Sequence, residues 1–166
     1  MKMDKEKELP KRKPTRLNNF DYSTPGAYFV TVCTHNRKCT LSRVVGAIHE
    51  SPEIQLTEYG KIVDRLINTI PPQSLATIDR YVIMPNHLHI MVFISADEYG
   101  RPQVAPTVDR MIKQFKGAVT KKIGYPIWQK SFIEHVIRNK QDFETRSKYI
   151  YENPIRWYYD ELYAEE

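Results

Sequence analysis

The sequence predicts an α+β domain: an antiparallel sheet with two helices on one face, plus a further helix near the C-terminal end. Three observations lead there. The runs AYFVTVCTH (Ala27 to His35) and HLHIMVFI (His87 to Ile94) are dense in aromatic and β-branched residues, the signature of buried strands. Two other segments, after Thr57 and after Thr107, carry apolar residues three and four apart, as one face of a helix requires. Strand-like and helix-like segments also alternate along the chain, which suits helices layered on a sheet.

Taken in order, residues 1 to 16 are polar, charged and punctuated by Pro10 and Pro14, and are expected to form a mobile basic arm ahead of a single domain over 17–166. Ser23, Pro25 and Gly26 mark a turn. The first strand, Ala27 to His35, is followed by a weaker one at Val44 to Ile48. Thr57 then caps a helix whose apolar face is Ile62, Val63, Leu66, Ile67 and Ile70, ended by Pro71-Pro72. Thr77 to Met84 is a strand, Pro85-Asn86 a turn or bulge, and His87 to Ile94 the next strand. A polar loop, Glu98 to Pro106, leads to Thr107, which caps a helix running to about Lys122 with Met111, Ile112, Phe115 and Val119 on one face and Gly124 as its stop. Tyr125 to Ile137 is irregular or extended. Asn139 caps a last helix from Lys140 to about Glu152, which Pro154 ends. This order is a split βαβ pattern, a ferredoxin-like sandwich.

Composition narrows the function classes. A chain of 166 residues, 41% hydrophobic, has room for one core. No apolar run approaches the roughly 20 residues a bilayer span needs, because Pro85, Asn86, His87 and His89 interrupt the best one, so no membrane partner is expected. The start, MKMDKEKELPKRK, has basic residues with no apolar stretch behind them and predicts no secretory signal. Cys33 and Cys39 form no disulfide framework, and a reducing cytoplasm is the expected compartment. The net charge of +5 is unevenly spread. Arg110 to Lys148 holds ten basic residues against three acidic, and the first sixteen residues hold seven against three, while the tail is acidic. Two basic segments on a chain with 11 tyrosines suit a polyanion that offers rings for stacking, although basic helices also serve simply as solvated faces.

The chemistry concentrates in YVIMPNHLHIMVFI. Side chains alternate on a strand, so His87 and His89 point the same way, about 6.5–7 Å apart along the backbone, and two such imidazoles can share a divalent ion. A lone His-x-His also fits exposed strand histidines. On the last helix, Tyr149 and Asn153 are four apart and share a face, so Asn153 can offer a carbonyl oxygen as third ligand with Tyr149 one turn away. A mixed nitrogen and oxygen set suits Mg2+ or Mn2+ better than structural zinc. Phe143 and Ile150 permit a plain core reading of the same helix. Cys33, His35, Cys39 and His49 lack the knuckle spacing of a zinc site, and His135 lies close to the tyrosine helix in sequence.

Five segments together change the weighting: GAYFVTVCTHNR (Gly26 to Arg37), MPNHLHI, QFKGAVTKKI (Gln114 to Ile123), IWQKSF (Ile127 to Phe132) and YIYENPIRW (Tyr149 to Trp157). In this order they resemble the REP-associated tyrosine transposases, members of the HUH (His-hydrophobic-His) single-tyrosine group, over about residues 16 to 157. The resemblance implies a ferredoxin-like fold with the metal pair His87 and His89 on its central strand. It also implies a nucleophilic tyrosine at Tyr149, in the pattern Tyr-Ile-x-x-Asn-Pro, and a third ligand at Asn153, with Tyr151 as the competing tyrosine.

The implied activity is metal-dependent cleavage and rejoining of single-stranded DNA at hairpins through a 5′-phosphotyrosine link; what helps the tyrosine lose its proton is open between the metal and a nearby basic residue such as Lys148 or Arg146. For DNA contacts the expected residues are Lys11, Arg12, Lys13 and Arg16 on the arm and Lys113, Lys116, Lys121 and Lys122 on the second helix. Trp128, with Tyr125 and Phe132, is expected to stack on bases, though Trp128 and Phe132 fit a core equally well. The alternative is a nucleic-acid-binding protein that does not cleave, on the same scaffold. The long tail after Asn153 resembles that of relatives that work as monomers, and a homodimer stays open.

Overall fold

The computed structural model describes residues 24–46, 52–69, 76–95 and 108–164. The arm with Lys11, Arg12, Lys13 and Arg16, the Pro71-Pro72 stop, the 98–106 loop and the Thr107 cap lie outside the described residues.

Among the described residues the strands and α-helices follow one another as β1 (Gly26–Cys33), β2 (Ser42–Val45), β3 (Glu53–Leu56), α1 (Glu58–Asn68), β4 (Ala76–Ile83), β5 (His87–Ile94), α2 (Val108–Ile123), β6 (Ile133–Ile137) and α3 (Lys140–Glu152). The main sheet has the order β4-β5-β1-β6, with every neighbouring pair antiparallel. Strands β1 and β4, joined through α1, are therefore parallel with β5 between them, and β5 and β6, joined through α2, are parallel with β1 between them. Two interleaved βαβ units make the split βαβ sandwich that the element order predicts. The fold class is α+β and ferredoxin-like.

Local chemistry sets the helix boundaries. The Thr57 hydroxyl accepts the Gly60 N–H at 3.1 Å, and the Asn139 side chain accepts the Asp142 N–H at 2.9 Å, each satisfying a donor of an open first turn. Gly124, at φ +97°, stops α2 in a backbone conformation that favours glycine, and its N–H bonds to Thr120 O at 2.8 Å. Gly60 serves a different purpose: a Cβ there would lie 2.0 Å from the Leu41 carbonyl oxygen, so only glycine lets α1 start so close to that backbone.

Strand alternation gives the sheet two different faces. Tyr28, Val30 and Val32 of β1 and Leu88, Ile90, Val92 and Ile94 of β5 pack in one core with Val63 and Ile67 of α1 and Met111, Ile112, Phe115 and Val119 of α2. The opposite face carries Phe29 and Met91, covered by Ile150, Phe143 and Tyr149 of α3. Among the described residues, no helix is long and apolar enough to cross a membrane.

Two expectations need correction. The weak second strand, expected at Val44 to Ile48, is described as Ser42–Val45, and among the described residues it pairs with β3, a strand the sequence did not reveal, rather than with the main sheet. The first strand stops at Cys33, because Thr34 leaves it to bridge Trp128 and residues 35–37 turn, with Asn36 and Arg37 at φ +54°. The stretch expected as irregular or extended, 125–137, does hold an extended piece, β6, and what the sequence did not reveal is its pairing with β1.

Candidate active site

His87 and His89 begin β5 on the sheet face that α3 covers. Both are buried, at 0% and 3% exposure, with ring centroids 4.5 Å apart. Each ring is oriented through Nδ1. Asn86 Oδ1 lies 2.8 Å from His87 Nδ1, while the same amide donates from Nδ2 to the Leu162 carbonyl at 2.7 Å and reaches the Arg37 carbonyl at 3.4 Å. Those two carbonyls fix which end of the amide is Nδ2, so His87 Nδ1 must be the donor and Nε2 carries the lone pair. His89 Nδ1 shares a 2.8 Å hydrogen bond with Thr31 Oγ1, its cross-strand partner. Anchoring one ring nitrogen while baring the other is how proteins prepare an imidazole for a metal.

The bared atoms have no hydrogen-bond partner. His87 Nε2, His89 Nε2 and Asn153 Oδ1 are all buried without one. The Asn153 amide nevertheless lies close enough to His87 to favour its charged form. Unpaired buried polar atoms are costly, at about 1–3 kcal/mol each, so three converging from two elements mark a place built for something that binds lone pairs. Donor atoms of His87, His89 and Asp160 lie within 4.8 Å of one another. Two imidazole nitrogens, a carboxylate oxygen and an amide oxygen fit a divalent cation, and the arrangement is a possible metal site.

Tyr149 reaches the same place from α3. Its ring lies 5.2 Å from that of His89 and 6.0 Å from that of Phe29, while Phe29 stacks on His89 at 5.0 Å. The Tyr149 hydroxyl donates to Asp160 Oδ2 at 2.9 Å, and Asn153 Nδ2 donates to the same oxygen at 3.0 Å. Burial, followed by the bond to Asp160 and its charge, pushes the phenol up to about 12. Tyr151, the competing tyrosine, is 82% exposed on the outside of α3.

Asp160 is the residue that sequence reading missed. It lies beyond the turn after α3, where the 3₁₀ turn Trp157–Tyr159 sets Trp157 against His87 at 5.9 Å. The chain then runs back over the site: Arg37 donates to Glu161 O at 3.3 Å, and the Leu162 N–H bonds to Asp160 Oδ1 at 2.7 Å. A cleft of about 370 Å³ remains, lined by His89, Thr31, Tyr149, Arg146, His135 and Asp160 among others. His135 thus faces the site and bonds Asp142 at 2.8 Å. Lys148 turns outward to Glu152 and Arg146 contacts Asp142, so the group touching the phenol is a carboxylate rather than either cation.

The expected DNA contacts fare differently. Trp128 is a correction: it is 7% exposed and packs in the core 6.1 Å from Phe115, so it cannot stack on a base without leaving the interior. Phe132 is also packed against that core, whereas Tyr125 is half exposed and its hydroxyl bonds that of Tyr59. Lys116 Nζ is turned to the carbonyls of Gln129, Lys130 and Ser131 at 2.6, 3.1 and 3.4 Å, which uses all three of its N–H donors in holding that loop. Lys113 pairs with Asp109, and Lys121 and Lys122 are exposed, but all three belong to the helical layer on the far side of the sheet from the cleft.

Burial also predicts an acid sensitivity. Burial first of all depresses both histidines, His87 to about 4 and His89 well below its ordinary value, with the His87 and Arg146 charges adding to the effect at His89. Unfolded histidines titrate near 6.5, so the unfolded chain binds more protons below that pH. Stability of the metal-free protein is full above about pH 6.5. It falls towards pH 4 at about 1.4 kcal/mol per pH unit for each histidine that must stay neutral. Urea midpoints in chelator that do not move between about pH 7 and pH 5 would contradict the burial of the pair.

No family model matches the chain. A protein of Haemophilus influenzae whose own function is uncharacterised is 30% identical over 176 aligned residues, covering 93% of this chain and 94% of that protein. The REP-associated tyrosine transposase of Escherichia coli is 27% identical, over 81% of this chain and 70% of its own length. Among solved structures, a REP-associated tyrosine transposase bound to a REP hairpin superposes with a TM-score of 0.63 at 25% identity, covering 85% of this chain and 73% of that one. By these likenesses the chain is similar, over most of its length, to the REP-associated tyrosine transposases.

Proposed function

We propose that this protein cleaves and rejoins single-stranded DNA at hairpin sequences, with Tyr149 as nucleophile and a divalent cation, Mg2+ or Mn2+, held by His87, His89, Asn153 and Asp160. The observation that carries it is the convergence of Tyr149 with three unpartnered buried donor atoms on one face of the sheet. Transposase relatives and a neighbour solved on a REP hairpin support the substrate class.

The chain's own residues supply the following steps. Tyr149 Oη attacks the scissile phosphorus, forming a phosphotyrosine bond while the bond from phosphorus to the 3′-oxygen breaks. The phenolic proton passes to Asp160 Oδ2, its hydrogen-bond partner, which also removes the negative charge that opposed its departure. The leaving 3′-oxygen takes a proton from water. Because one phosphoester is exchanged for another, a 3′-hydroxyl can later attack the phosphotyrosine and restore a continuous strand without ATP. When bound, the divalent ion supplies charge neutralisation at the reacting phosphate.

Nucleophile and ligands come from one chain, which favours action as a monomer. Lys113, Lys121 and Lys122 would meet a hairpin stem passing round the sheet edge rather than the strand being cut. A bacterial cytoplasm holding the DNA is the fitting compartment.

The direct test is to incubate labelled single-stranded hairpin DNA with the protein and Mn2+ and resolve the products on a denaturing gel. Label migrating with the protein, and absent with chelator, is expected. Binding with no covalent product in any divalent metal would leave a DNA-binding protein and overturn the cleavage reading.

A further inference from the structure

The cleft continues past the tyrosine along α3. Arg146 precedes Tyr149 by three residues, so the two share a face with an axial rise of about 4.5 Å between them, just under one helical turn. The Arg146 guanidinium lies 5.5 Å over the Phe29 ring, the same ring that packs on His89 and Tyr149.

Arg146 is set apart from the other cations of its helix. Lys140 and Lys148 are 88% and 70% exposed and pair with Glu144 and Glu152 on the outside. Arg146 is about two-thirds buried and lines the cleft. Its Nε contacts Asp142 Oδ1 at 3.4 Å. Asp142 is itself fixed: Oδ2 bonds His135 Nε2 at 2.8 Å and the Arg138 N–H at 3.4 Å, and its own N–H donates to the Asn139 cap. A guanidinium is a rigid fork, so holding Nε beside Asp142 with Cζ over the Phe29 ring restricts where the two Nη groups point. An ordinary i,i+4 surface pair would need neither the aromatic ring beneath it nor the histidine behind the carboxylate, and would contribute little.

We propose that Arg146 binds the phosphodiester next to the one that Tyr149 attacks, with Asp142 and His135 as positioning residues that hold the guanidinium fork. This rests on the DNA-cleaving reading above. The placement suits it: Arg146 lies just under one helical turn from the nucleophile, both line one cleft, and a planar fork is the group that matches phosphate oxygens.

The test reads binding, so it does not depend on cleavage. From a pool of hairpin oligonucleotides with randomised single-stranded flanks, the Tyr149→Phe protein selects a ligand, and each linkage beside the hairpin is then replaced singly by an uncharged methylphosphonate. One linkage is expected to weaken binding about tenfold or more, and Arg146→Ala is expected to weaken the unmodified ligand by a similar factor. The two losses should not add, because each removes the same contact. Arg146→Lys, which keeps the charge and guards against a fold defect, should fall between. Asp142→Asn should shrink the penalty at that one linkage while leaving the others alone, a pattern that general destabilisation would not give. If Arg146→Ala binds like its parent, or the losses add at every linkage, the inference is wrong even where the wild-type protein forms its covalent adduct. A pool from which nothing is enriched overturns the DNA reading and this inference together.

Discussion

Tyr149→Phe is expected to abolish the covalent DNA adduct and to slow strand cleavage by at least about 10⁴-fold, since removing a nucleophile outright costs an enzyme that much or more. The fold should barely notice. The phenylalanine ring keeps the contacts with Phe29 and His89, and Asp160 retains the Asn153 amide and the Leu162 N–H. What disappears is a single hydrogen bond to Asp160, a net loss of about 1 kcal/mol. Hairpin affinity should therefore match wild type, with only the protein-linked band missing from the gel. Tyr151→Phe serves as the control, since that side chain is exposed on the outside of α3. An adduct surviving in Tyr149→Phe and lost in Tyr151→Phe would reassign the nucleophile.

His87→Ala should separate metal binding from folding. In the wild-type protein, Mn2+ at a hundredfold excess over its dissociation constant should stabilise the fold by about 2.7 kcal/mol, because the unfolded chain lacks the site. His87→Ala and His89→Ala should both lose that increment and lose cleavage, while hairpin affinity persists. The substitution has its own cost, because Asn86 Oδ1 loses its partner inside the protein, about 1–3 kcal/mol. The fair comparison is therefore each variant with and without metal. If Mn2+ stabilises both variants as strongly as wild type, the ion sits elsewhere and the histidines are structural.

Much of this was legible because it is local. Alternation of faces in HLHIMVFI is a property of any strand, so the shared direction of His87 and His89 needed no tertiary information. The Thr57 and Asn139 caps likewise act on N–H groups within three residues. What escaped depends on distant partners. IEHVI is short and mixed in burial, and only its pairing with β1 makes it a strand. Trp128 looks the same in sequence whether it meets DNA or Phe115. Lys116 looked like a phosphate ligand until the fold placed the 129–131 carbonyls beside it. Asp160 was hidden among the acidic residues of the tail, eleven positions past Tyr149, where charge alone distinguishes nothing; only the reversal of the chain after Asn153 brings it to the phenol.

The two halves of the site also differ in how firmly the protein holds them. Strand β5 lies between β4 and β1, with ladder bonds on both edges and buried side chains along both faces. Its amide protons are expected to be among the slowest in the molecule to exchange with solvent. Helix α3 has Ile150 as its one buried residue and rests on a small cluster, so it can lift in an opening that costs much less than global unfolding. The imidazoles that grip a cation thus belong to the most persistent part of the molecule, and the hydroxyl that attacks DNA belongs to a part free to breathe on a shorter clock.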